Sequence, residues 1–160
     1  MKPLPILLAL ALLAPVTTEG QSRRVRTKVK VSKEALTAGT FTVSRENEDS
    51  IGYRISQVAI TDYKKPAGSD KETFSVTNNT DKTLAAIGME IEYLTPEGRQ
   101  LHKRYVTADC DVPAGETRII DMRSWDRQRS WYYVNGQKPR KQALPYEIRL
   151  EVLTLHLRFD

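Results

Sequence analysis

The sequence predicts an all-β, two-layer antiparallel fold, and three observations predict it. Apolar residues recur at every second position through most of the chain. No stretch beyond residue 20 sustains a 3.6-residue period. Turn-forming clusters separate the alternating runs at short intervals.

The opening segment, residues 1–20, does not belong to that pattern. It reads MKPLPILLALALLAPVTTEG, with Lys2 ahead of an apolar run from Ile6 to Val16. That run is shorter than the roughly 20 residues a membrane-spanning helix needs. Thr18 and Gly20 suit the small-residue positions of a cleavage site. We expect a secretory signal peptide over residues 1–20, cut near Gly20–Gln21, and a single domain over residues 21–160. The expected compartment is periplasmic, cell-surface or extracellular, with no integral membrane segment after cleavage. The single cysteine, Cys110, rules out a disulfide scaffold and is expected to be a buried small side chain.

The elements follow in order. Val25, Thr27, Val29 and Val31 share one face of a first strand, with Arg26, Lys28 and Lys30 on the other. Thr40 to Val43 are β-formers, followed by a charged loop at residues 44–50. Ile51, Tyr53 and Ile55 alternate, Val58 and Ile60 fall out of phase, and a bulge near Ser56–Gln57 would restore the register. Residues 63–71 read as a loop. Phe74 and Val76 start a strand closed by Asn78-Asn79-Thr80-Asp81. The clearest strand places Ile87, Met89, Ile91 and Tyr93 inward, with Gly88, Glu90 and Glu92 outward. Residues 100–110 return as a strand, Pro113 to Glu116 turn the chain, and residues 117–122 are short and β-prone. Residues 123–145 are irregular. In the last segment Tyr146, Ile148, Leu150 and Val152 form one set, and Leu153, Leu155, Leu157 and Phe159 the other. The phase flips at Val152–Leu153, which calls for a bulge or bend. Seven to nine such strands make an immunoglobulin-like antiparallel β-sandwich, with an antiparallel barrel as the second choice.

One stretch resembles a known family. It runs FSVTNNTDKTLAAIGMEIEYLTPEGRQL from Phe74, followed by VPAGETRII. The Asn78-Asn79-Thr80 turn, the long alternating strand ending at Tyr93-Leu94 and the Pro113-to-Thr117 turn resemble the FxLYD-type immunoglobulin-like domains of small secreted bacterial proteins. The chain departs from that pattern after Leu94, where Thr95-Pro96 stands in place of an Asp. The resemblance implies a fold and a compartment, and no catalytic residues.

Composition narrows the function. The chain of 160 residues holds 25 Lys+Arg, 20 Asp+Glu, two His and 39% apolar residues, enough to build one core without staples. His102 and His156 stand in strands with no nucleophile signature beside them, so a catalytic triad is not expected. Glu90 and Glu92 lie on one strand face at a spacing compatible with glycosidase carboxylates, and a cell-envelope polymer hydrolase is the alternative they support. Asp109 and Asp111 flank Cys110 without a third ligand at loop spacing. No metal, cofactor or nucleic-acid partner is expected. The Asn78 tripeptide resembles an N-glycosylation acceptor.

The positive charge is concentrated in two segments. Arg23, Arg24, Arg26, Lys28, Lys30 and Lys33 crowd the mature N-terminus with no acid among them. Such a run protects an edge strand or attracts an anionic polymer. The second segment, residues 123–141, mixes bases with aromatics. Trp125, Trp131 and Tyr133 would supply contact area, and Arg127, Arg129 and Arg140 charge-assisted hydrogen bonds. The competing reading has the Trp rings plugging an open end of the sandwich. The expected function is a non-enzymatic interaction or accessory module that binds a protein or an anionic glycan of the cell envelope through this loop. A module that self-associates by an edge strand is a third possibility.

Overall fold

A computed structural model describes residues 39–159. The expected signal peptide and the alternating run at residues 25–31 lie outside the described residues. Eight strands follow in order: β1 (Thr40–Ser44), β2 (Val58–Lys64), β3 (Lys71–Asn78), β4 (Leu84–Leu94), β5 (Gln100–Val112), β6 (Thr117–Arg123), β7 (Trp131–Tyr133) and β8 (Leu144–Arg158). They form two sheets packed face to face. One has the order β1-β8-β4-β5, with β7 added to β8, and the other β2-β3-β6. This is the expected all-β sandwich.

The core lies between the sheets. Ile87, Met89, Ile91 and Tyr93 of β4 point into it as their alternation requires, with Phe74 and Val76 of β3 opposite, and all are buried. Ile120 and Met122 of β6 and Leu155 and Leu157 of β8 close it on either side. Cys110 is buried in the same core, and burial pushes its thiol pKa up to about 12. At neutral pH it therefore stays a protonated, unreactive thiol.

The phase flip in the last segment is a bulge. Gly88 pairs with Thr154 and Met89 with Val152, so Leu153 is the extra residue. Tyr146, Ile148, Leu150 and Val152 before the bulge and Leu155 and Leu157 after it thereby face the core from one continuous strand. Gly88 sits where the bulge brings β8 close, and a Cβ there would collide with Thr154 Oγ1.

The two turns that carry the family resemblance join at one corner. Asn78 is buried, and its Nδ2 donates to the carbonyls of Lys82 (2.8 Å), Val112 (2.9 Å) and Pro113 (3.2 Å). The Gly115 N–H donates in turn to the Asn78 carbonyl at 2.8 Å. The amide that looked like a glycosylation acceptor is thus consumed in holding the corner together.

Two expectations are corrected. Residues 51–57 are not a strand with a bulge. Ile51 ends a short helix, α1 (Glu48–Ile51), and Ile55–Gln57 form a 3-10 turn before β2 begins at Val58. Ile51, Tyr53 and Ile55 alternate because they pack against the core's margin. The Tyr53 ring rests on Phe41 at 5.3 Å. The span at residues 123–145 is also not wholly irregular, since β7 pairs with the start of β8. That pair is parallel, which the connection between the two strands permits by crossing over rather than turning back.

Gly88→Ala is expected to lower stability by about 1–3 kcal/mol in denaturant melts, as overpacking does. Thr154→Ala placed with it should recover most of that loss.

Candidate functional site

The segment at residues 124–143 lies across one end of the sandwich. Its residues divide into an inward half that fixes it and an outward half that is free. Two buried charges do most of the fixing, and both come from the body of the domain.

Lys65, just after β2, has its side chain fully buried, and so in effect does Asp126, at 0% and 2% exposure. Lys65 Nζ donates to Asp126 Oδ2 at 2.8 Å and to the Trp131 carbonyl at 2.6 Å. The Trp131 N–H donates to the same carboxylate oxygen at 2.8 Å. Two charges removed from water are costly unless each is paired and hydrogen-bonded, and here the loop backbone completes the shell. Burial alone would raise the Asp126 pKa; the hydrogen bonds from Lys65 and from the Trp131 and Ser130 N–H groups outweigh it and hold it below the usual value.

Glu72 of β3 is the second buried charge. Its Oε2 accepts from Tyr93 Oη at 2.8 Å and from Arg104 at 3.0 Å. Its Oε1 accepts the Trp125 N–H at 3.1 Å. One carboxylate thus links β3, β4 and β5 to the first residues of the loop.

The aromatics occupy the space between these charges. Trp125 packs on Tyr93 at 4.9 Å, stacks on His102 at 5.8 Å and meets Tyr146 edge-on. Trp131 rests on Trp125 at 5.9 Å. Tyr133 meets Tyr63 edge-on at 5.0 Å. The Tyr63 and Tyr146 hydroxyls share a buried hydrogen bond of 2.9 Å, and burial, first among the causes, raises both phenol pKa values. Among the described residues the buried Trp125 Nε1 meets no acceptor in good hydrogen-bond geometry. Trp125, Trp131 and Tyr133 are half-buried against the core, so they anchor the loop as well as contribute to its surface.

The arginines lie on the outward half. Arg127, Arg129 and Arg140 are all exposed. Arg129 takes a left-handed backbone (φ 58°) at the close of a tight turn and reaches Asp70 at 3.3 Å. It lines a cleft of about 500 Å³ between Pro66–Gly68 and residues 137–143, together with Lys138, Arg140 and Lys141. Lys138, Arg140 and Lys141 form no ion pair among the described residues. Arg127 stands outside this cleft. Of the six residues expected as a site, Arg129 and Arg140 line the cleft, Trp125, Trp131 and Tyr133 pack against the core without lining it, and Arg127 is apart from it. Lys138 and Lys141 were legible only as part of a charge run. Lys65 and Glu72 carried no sequence signal of their role.

Other constellations were brought together differently. Glu90 and Glu92 lie on the outer face of β4 and share the Lys103 ammonium. Hydrogen bonds from Lys103 and then Tyr105 lower the Glu90 pKa. A general acid needs the reverse. His102 stacks on aromatics, and His156 Nδ1 meets Thr42 Oγ1 at 3.1 Å. Asp111 pairs with Arg158 at 2.8 Å. Among the described residues no group of three or more His, Cys, Asp or Glu could hold a metal ion, and no helix is long and apolar enough to cross a membrane.

Lys65→Met is expected to destabilise the fold by about 3–5 kcal/mol, because it leaves a carboxylate buried and unpaired. Lys65→Met combined with Asp126→Asn, which keeps an acceptor for the Trp131 N–H, should be more stable than Lys65→Met alone. The folded Asp126 pKa is depressed, so its contribution is present above the unfolded value of about 3.9 and is lost as pH falls through the folded one. Urea melts between pH 6 and pH 2.5 should show this acid loss in the wild type and less of it in Asp126→Asn.

No family model, curated protein or solved structure matches this chain.

Proposed function

We propose that this protein is an exported, non-enzymatic interaction module that binds an anionic glycan through the basic cleft beside β7. The observation that carries the reading is the set of cations around it. Lys138, Arg140 and Lys141 are free of ion pairs among the described residues, and with Arg129 they face one hollow. Cations without an internal partner keep their full attraction for an anion, since no such partner must be displaced. Buried hydrogen bonds and ring contacts hold the loop that adjoins them. Fixing that adjoining loop reduces part of the ordering cost of binding. An extended carboxylated or sulfated polysaccharide suits the cleft, because it presents repeated charge to several cations at once. The apolar run at residues 6–16 supports export, and the resemblance to FxLYD-type domains agrees with an accessory role outside the cytoplasm.

Binding to polygalacturonate, with neutral dextran as the control, tests this reading. The wild type should bind the acidic polymer and weaken steeply between 50 and 500 mM salt. Replacing Lys138, Arg140 and Lys141 together by Ser should weaken binding by roughly tenfold, since each exposed ionic contact contributes about 0.2–1 kcal/mol. Arg127→Ser, outside the cleft, should bind as the wild type does. Equal binding by the triple variant and the wild type would contradict the proposal.

A further inference from the structure

The basic cleft does not end at its cations. Pro66 and Gln137 also wall a second hollow of about 520 Å³, so the two adjoin. Around the second stand Asp62, Lys64, Lys65, Tyr133 and Asn135. Its charge differs from that of the first. Lys65 is buried and spent on Asp126, and the exposed Lys64 is offset by the exposed Asp62 on the same wall. Four cations thus line one hollow, and no net charge lines the next.

Asp62 is placed there by a distortion of β2. Thr61 pairs with Ser75 and Lys64 with Thr73, so Asp62 and Tyr63 both stand opposite Phe74. This bulge turns Tyr63 into the core and Asp62 out to solvent. It also holds Asp62 in a left-handed backbone (φ 53°), which few residues other than glycine adopt. A strained residue at the wall of a hollow points to a use for its side chain. Among the described residues that carboxylate accepts a hydrogen bond from Thr61 Oγ1 alone, at 3.2 Å.

The remaining polar groups are neutral amides. Asn135 Nδ2 donates to Tyr133 Oη at 3.2 Å, which leaves its carbonyl and one N–H open. The Gln137 side chain makes no hydrogen bond among the described residues. The turn before Gln137 is held in place. The Tyr133 N–H donates to the Lys65 carbonyl at 3.1 Å, and the Val134 N–H to the Tyr146 carbonyl at 2.9 Å. Two amides beside a carboxylate can donate to and accept from the hydroxyl and acetamido groups of an uncharged sugar. A second acidic sugar at this place would meet Asp62 with no surplus cation to offset the repulsion.

We infer that the ligand is a glycan whose acidic sugars alternate with uncharged ones, the acid lying in the basic cleft and the uncharged sugar beside Asp62, Asn135 and Gln137. This rests on the reading of the basic cleft as a glycan site and narrows it. Attraction by charge alone would favour the polymer with the denser charge. The two hollows together favour the sparser one.

Calorimetric titration with two polymers of matched length, at one salt concentration, tests this. Hyaluronan alternates an acidic sugar with an acetamido sugar, whereas polygalacturonate carries a carboxylate on every unit. The wild type should bind hyaluronan more tightly by roughly fivefold or more, the contribution of about one net hydrogen bond. Asn135→Ala with Gln137→Ala should remove that margin and leave polygalacturonate binding unchanged. Asp62→Asn, which tolerates the left-handed backbone, should strengthen polygalacturonate binding and leave hyaluronan binding as it is. Polygalacturonate binding as tightly as hyaluronan would overturn the inference and leave the cleft as an anion site. So would a margin that survives loss of the two amides. Binding of neither polymer would overturn both the inference and the reading beneath it.

Discussion

The buried pair of Lys65 and Asp126 is the constraint on which the functional end of this molecule depends. Neither charge is stable in that position by Coulomb attraction alone, because removing both from water costs several kcal/mol per ion. What completes their environment is the backbone of Trp131, which donates to Asp126 and accepts from Lys65. The loop is therefore not laid over a finished core. It supplies the hydrogen bonds without which the two charges could not remain there, and they in turn fix where Trp131 and β7 begin. Glu72 does the same for Trp125 from the other side, through Tyr93 and Arg104.

This arrangement separates the charges of the domain by role. Inward cations are spent: Lys65 on Asp126 and Arg104 on Glu72. Among the described residues the outward cations around the cleft are not, apart from Arg129 and its exposed contact with Asp70. An exposed pair of that kind contributes little and yields readily to a better anion. The aromatics belong to the first group more than to the second. Their rings pack against the core and one another and do not line the basic cleft, so plug and surface describe different parts of the loop.

Where the chain is half-buried and regular, its structure was legible in the residues. The alternation of Ile87, Met89, Ile91 and Tyr93 defined β4, and the phase flip at Val152–Leu153 located the bulge to the residue. Residues 51–57 misled because period two is also produced by a loop that dips repeatedly onto a core margin; Tyr53 lies over Phe41 without being in a strand. The buried charges were illegible for a different reason. Lys65 sits among Lys64, Pro66 and Gly68, and nothing local distinguishes a lysine that will meet Asp126, distant in sequence, from one that will face water. The aromatic and basic residues were recognised as a group, but their division into an anchoring and an exposed set depends on those same long-range pairs.

The amide exchange of Trp125 and Trp131, followed residue by residue, tests this dependence most directly. Both N–H groups are bonded to buried carboxylates, Glu72 for Trp125 and Asp126 for Trp131. The account predicts that both exchange with the protection of the core strands, while Arg127 and Lys138 exchange as open loop. If Trp125 and Trp131 exchange as fast as those neighbours, the buried pairs do not hold the loop and the account is wrong.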